Sequence, residues 1–125
     1  MRKAVTTDKA PRPLGPYSQA IIEGDLLFLA GQGPTDPATG VTDQGDIGSQ
    51  TKRTLDNIKA VLEAAGSSLE KVIRCNVYLK DIDDFAAMNE VYARAFTAPY
   101  PARTTIQAGA LPGGIAVEIE CVARR

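Results

Sequence analysis

The stretch PARTTIQAGALPGGIAVEIE, residues 101 to 120, decides how the chain is read, because it sets one Arg and two Glu into two strand-like segments around a Gly- and Pro-rich turn. In RTTIQA, Thr104, Ile106 and Ala108 alternate with Arg103, Thr105 and Gln107; in AVEIECVA, Val117, Ile119, Cys121 and Ala123 alternate with Glu118, Glu120 and Val122. The spacing predicts a β-hairpin closed by GALPGG, with the first-named set of each strand covered by helices. Arg103 and Glu118 then share the far face as cross-strand neighbours. On that pattern the pair reads as a surface ion pair, worth a fraction of a kcal/mol. The far face is not a solvated one, however. Val72, Arg74, Asn76 and Tyr78 of KVIRCNVYL alternate onto it, with Val122 beside the glutamates, and such a mixed face usually meets another subunit. There a partly desolvated guanidinium needs a partner, and a small carboxylate fits its planar fork.

Working outward, SQAIIEGDLLFLAGQ predicts two strands joined at Gly24 and Asp25. A short strand near residues 3–6 precedes the Pro-rich loop KAPRPLGPYSQ, and GPTDPATGVTDQGD reads as a second loop. Thr51, Leu55, Ile58, Leu62 and Ala65 recur at three and four over a helix from 46 to about 65, stopped by Gly66. Phe85, Met88, Tyr92 and Phe96 form the apolar stripe of a second helix, capped by Asp83 or Asp84 and ended by Pro99 and Pro101. Ile73, Cys75, Val77 and Leu79 are expected on the covered face of the intervening strand. The element order predicts an α+β fold with two helices on one face of a sheet.

A chain of 125 residues, 44% hydrophobic, is of a size for a single domain over 1–125. With 14 basic and 15 acidic residues and no basic stripe, neither nucleic acid nor an anionic membrane is an expected partner. No apolar run approaches the roughly 18 to 20 residues of a membrane span, and MRKAVTTDKAPRP lacks the apolar centre of a signal peptide, so the expected compartment is the cytoplasm. Cys75 and Cys121 are expected as buried free thiols. Histidine is absent, so no metal site is expected, and acid–base chemistry falls to carboxylates, Tyr or bound water.

GPYSQA (15–20), AGQGP (30–34), MNEVYARAF (88–96), PARTT (101–105) and VEIECVA (117–123) together resemble, in order and spacing, the signatures of the RidA or YjgF family of reactive-intermediate imine deaminases. The resemblance spans essentially the whole chain. It implies a chorismate-mutase-like α+β fold, a six-stranded mixed sheet covered on one face by two helices, and a homotrimer with clefts between subunits. It also implies hydrolysis of 2-imino acids such as 2-iminopropanoate and 2-iminobutanoate to 2-oxo acids and ammonia, without a cofactor. Carried over by position, Arg103 clamps the substrate carboxylate and Glu118 positions or activates water. Tyr17 is a cleft tyrosine, Gly31 and the backbone of Thr105 line the cleft, and Asn89 is either catalytic or structural. Thr105 stands where many members have Cys, so thiol regulation is not expected. Two other readings stay open: a non-catalytic 2-oxo-acid binder or chaperone-like trimer, and an endoribonuclease, for which a chain without His is poorly equipped.

Overall fold

A computed structural model describes residues 1–125. Its strands are β1 (Lys3–Val5), β2 (Ala20–Glu23), β3 (Leu26–Gln32), β4 (Val72–Leu79), β5 (Ala102–Gln107) and β6 (Val117–Arg124), and its helices are α1 (Ile47–Ala64) and α2 (Phe85–Ala95). The six strands form one mixed sheet in the order β1-β2-β3-β6-β4-β5. Asp46 caps α1 by accepting the Ser49 N–H at 2.8 Å, and Gly66, with φ of +79°, turns the chain out of it. Asp84 makes no side-chain cap at α2; Asp81 instead accepts the Asp83 N–H and caps the 3-10 turn before the helix.

Buried side chains of α1, α2 and one sheet face form the core: Leu55, Ile58, Val61 and Leu62 of α1 and Met88, Tyr92 and Phe96 from α2 and its end meet Leu27, Leu29, Cys75, Val77, Leu79, Val117, Ile119, Cys121 and Ala123. The two-helix, one-face expectation therefore holds. Cys75 and Cys121 are free and buried, directly opposite one another across β4 and β6.

The predicted terminal hairpin does not form. β6 runs antiparallel between β3 and β4, whereas β5 lies at the sheet edge and pairs in parallel with β4. A parallel pair requires a crossover, and α2 supplies it. The register sets Cys75 opposite Arg103, Val77 opposite Thr105 and Leu79 opposite Gln107. Arg103 and Thr105 thus take the helix-covered side with Cys75 and Val77, while Thr104 and Ile106, expected inside, are exposed. Arg103 and Glu118 lie on opposite faces and are not neighbours. In β4, a register shift between Val72 and Arg74 buries Val72 and leaves Ile73 44% exposed, reversing the expected sides of both.

The uncovered face carries Phe28 at 45% and Ile106 at 48% exposure, with Ile21 and Val122 each paired to Phe28. Apolar area of this kind on an open sheet face is an association surface.

Candidate active site

The expected site residues fall into two separate groups. Tyr17, Gly31 and Glu118 line one cleft of about 600 Å³, together with Arg12, Leu14, Asp36 and Ile115. Arg103, Thr105 and Asn89 gather beside α2, on the other side of the sheet.

In the cleft, Glu118 is half-buried on β6, and its carboxylate lies over Gly31 of β3. A β-carbon at Gly31 would fall 2.7 Å from Glu118 Oε2 and 2.9 Å from Cδ, so the glycine makes room for the carboxylate. Burial pushes the Glu118 carboxyl up, and the negative charge of Glu120, two residues along the same face, adds to the effect. Tyr78 stands opposite Glu118 in the register and donates its hydroxyl proton to Glu120. That bond holds the second carboxylate in place and raises the Tyr78 phenol.

Tyr17 sits in the Pro-rich loop, 50% exposed. Its hydroxyl oxygen accepts the Leu14 N–H at 3.1 Å, which leaves the phenolic proton free to donate into the cleft. The loop is held by a residue that sequence reasoning passed over. Gln19, 2% exposed, accepts the Thr7 N–H at 2.7 Å and donates to the carbonyls of Thr7, Ala10 and Pro11 at 3.0, 3.3 and 2.8 Å. Two further buried amides fasten the other walls. Gln50 accepts the Ala116 N–H and donates to the Gly45 carbonyl; Asn57 donates to the carbonyls of Gly33 and Thr35. Amides suit this task because each carries both donor and acceptor without charge.

On the α2 side, the Arg103 guanidinium carbon lies 4.7 Å from the centroid of the Tyr92 ring and 5.5 Å from that of Phe85. The ion pairs of the chain join Met1 to Glu23 and Asp56 to Lys52 and Arg53, so Arg103 has no acidic partner. On the same side of the sheet, Asn89 Oδ1 of α2 and Thr105 Oγ1 of β5 are buried and make no hydrogen bond. A cation with free N–H groups, with an unengaged Thr105 hydroxyl two residues along the same strand face, is equipped to bind a small polar anion. Arg103, Thr105 and Asn89 were expected from the sequence, which placed Phe85 and Tyr92 in the core stripe alone.

A RutC family protein of Pyrococcus horikoshii is 54% identical over 123 residues, covering 98% of each chain. The bovine protein named 2-iminobutanoate/2-iminopropanoate deaminase is 42% identical over 123 residues, covering 98% of this chain and 90% of its own. Among solved structures, RidA from an Antarctic Psychrobacter superposes with a TM-score of 0.95 at 43% identity, covering 98% of this chain and 99% of that one. The family model described as Endoribonuclease L-PSP matches residues 7–125. With the whole fold, the quoted signatures and these matches in agreement, the chain belongs to the L-PSP family, the family of the RidA and YjgF proteins.

Proposed function

We propose that the protein is a homotrimeric deaminase that hydrolyses 2-imino acids, among them 2-iminopropanoate and 2-iminobutanoate, to 2-oxo acids and ammonia. The observation that carries this reading is the division of the site. An unpaired guanidinium on edge strand β5 and a carboxylate-lined cleft on the opposite sheet face become one site when β5 of one protomer lies against the Tyr17, Gly31 and Glu118 cleft of its neighbour. The apolar residues of the uncovered face supply the contact, and the name of the bovine relative supports the chemistry.

In this site Arg103 holds the substrate carboxylate by two parallel hydrogen bonds, with Thr105 and Asn89 beside it. The protonated imine presents an electrophilic carbon. Glu118, as the carboxylate, takes a proton from water as the water oxygen bonds to that carbon, giving a tetrahedral amino alcohol. That proton passes to the nitrogen. The C–N bond then breaks as Glu118 takes the proton of the remaining hydroxyl, so that the carbonyl forms and ammonia leaves, and that proton passes to ammonia to give ammonium. Atoms and charge balance as iminium carboxylate plus water to oxo carboxylate plus ammonium, with no redox change. Tyr17 keeps its proton and donates a hydrogen bond from its free phenolic O–H to the reacting oxygen or nitrogen.

The family description names an endoribonuclease, but even with Arg103 of the neighbour the cleft would offer an RNA backbone two cations, beside the acidic Asp36 and Glu118 and with no histidine in the chain. The deciding experiment generates the imine with an amino-acid oxidase and follows its removal. Arg103→Ala should cut kcat/KM by on the order of a hundredfold or more, since a charge-assisted contact is worth roughly 1.5 to 3 kcal/mol and two are lost. The trimer should persist by sedimentation. Near wild-type deamination by this variant overturns the reading in favour of a non-catalytic binder.

A further inference from the structure

An arginine on an edge strand is ordinarily held by a carboxylate or left in water. Arg103 is held by neither. It is half-buried on the helix side of β5, and the nearest charged or aromatic company it keeps is two rings of α2. Phe85 and Tyr92 are seven residues apart, two helical turns, which sets both on one stripe of the helix. Their ring centroids lie 5.5 and 4.7 Å from the guanidinium carbon. Tyr92 is buried at 5% exposure and packs at 4.7 Å, tilted by 41°, on Phe96, so its ring is fixed. Phe85 is 40% exposed at the first turn of the helix, an exposure that core packing alone does not account for.

We propose that Phe85 and Tyr92 are positioning residues that set the Arg103 guanidinium for carboxylate recognition, the two rings taking the place of an acidic partner. This rests on the reading of Arg103 as the carboxylate clamp. A ring attracts the cation through its quadrupole and engages none of the five N–H donors. An acidic partner would fix the side chain equally well but would occupy the fork that the ligand needs. The rings therefore remove rotamer freedom before binding while leaving the hydrogen-bonding edge open, and less ordering remains when the ligand arrives. The rings come from α2 and the cation from β5, so the packing of helix on strand is what places the guanidinium.

The test measures calorimetric binding of 2-oxobutanoate, a stable product, and steady-state deamination, with the thermal midpoint recorded for each variant. Phe85→Leu keeps apolar bulk but removes the ring; it should weaken binding and raise KM by about tenfold while kcat stays within about twofold. Phe85→Tyr restores a ring and should bind within about twofold of wild type. Tyr92→Phe should likewise retain binding. A purely structural role would move the thermal midpoint without this split between KM and kcat or the rescue by a second ring. Unchanged affinity in Phe85→Leu, or equal losses in Phe85→Leu and Phe85→Tyr, overturns the inference. Arg103→Ala separates the two levels: if it binds 2-oxobutanoate like wild type, the clamp itself is wrong, whereas if it loses binding and Phe85→Leu does not, only the aromatic placement falls.

Discussion

The carboxylate of Glu118 rests against the α-carbon of Gly31, in space that any β-carbon there would enter: Oε2, Cδ and Cγ lie 2.7, 2.9 and 3.1 Å from that position. Gly31→Ala should therefore act on Glu118 rather than on the fold. Because the displaced group is the end of a flexible side chain, stability should change by no more than about 1 kcal/mol. Turnover should fall by about tenfold or more as the carboxylate leaves its place. Parallel measurement of chemical denaturation and imine hydrolysis checks the prediction; full turnover in the alanine variant would show that Glu118 does not need that place.

Glu118 also predicts a pH signature. Burial and Glu120 raise its folded pKa above the ordinary glutamate value, about 4.3 in the unfolded chain. The folded state then binds the proton more tightly than the unfolded one, so this group's contribution to stability is full below the unfolded pKa and is lost as pH rises through the folded pKa. Glu118→Gln should consequently be more stable than wild type at pH 7, with the difference vanishing toward pH 3 to 4. Turnover in the same variant should collapse, and in wild type it should decline as pH falls through the raised pKa, where the proton acceptor fills. Thermal melts of both proteins across this range decide the first point, and a wild-type midpoint equal to that of the variant at pH 7 would contradict it.

Under the proposed assembly, a cleft shared between protomers makes two impaired variants curable by each other. Arg103→Ala supplies an intact Glu118, and Glu118→Gln supplies an intact Arg103. Co-refolded in equal amounts, they should regain about a quarter of wild-type activity, the chance that Arg and Glu at one interface both come from the right parent. Separate refolding followed by brief mixing provides the blank. No recovery in stable mixed trimers would place the whole site within one chain.

The two cysteines should be chemically quiet. Burial pushes the Cys75 thiol up, against smaller opposite pulls from Tyr92 and Arg103, and pushes Cys121 up further. Thiolate is the reactive form. Reaction with a water-soluble disulfide reagent at pH 8 should be negligible in the native protein and complete at both thiols in guanidinium; rapid native labelling would mean that the β4 and β6 region opens readily.

Gln19→Leu should cost roughly 2 to 4 kcal/mol in chemical denaturation, because it strands the Thr7 N–H and three carbonyls that the amide now satisfies. A loss no larger than that of an exposed Gln→Leu exchange would show that the loop holds itself.

What the sequence discloses here follows the range of the interactions. Helix α1, helix α2 and the Gly24 turn are local, and the spacing of Leu55, Ile58 and Leu62 or of Phe85, Met88 and Tyr92 locates them within a residue or two. The side on which Arg103 lies is not local. Neighbouring strands in sequence usually pair, and GALPGG resembles a turn, so β5 and β6 read as a hairpin; yet α2 carries β5 back parallel to β4, and β6 enters between β3 and β4. With β5 paired to β4 instead, the register puts Arg103 beside Cys75 and turns Ile106 outward. Apolar Ile106 looked like the inward residue because the pattern contains no term for a cation stacked on aromatic rings. The residues expected to share a site came from resemblance, and their division between two faces could not be read from a linear order. Gln19, Gln50 and Asn57 left no periodic trace, since each acts through one backbone segment distant from its own.

The β4, α2, β5 unit carries Phe85, Asn89, Tyr92, Arg103 and Thr105, whereas Tyr17, Gly31 and Glu118 come from the chain before and after it. Under the proposed assembly this sorts heritable change into two kinds, substitutions in α2 and β5 altering what is held and those around Tyr17, Gly31 and Glu118 altering what is done to it. After gene duplication, a copy lacking Arg103 would still lend its Glu118 wall to its sister in mixed trimers. Loss in one copy would then appear as graded activity in the other, and the two genes would remain coupled through their products long after their sequences had begun to diverge.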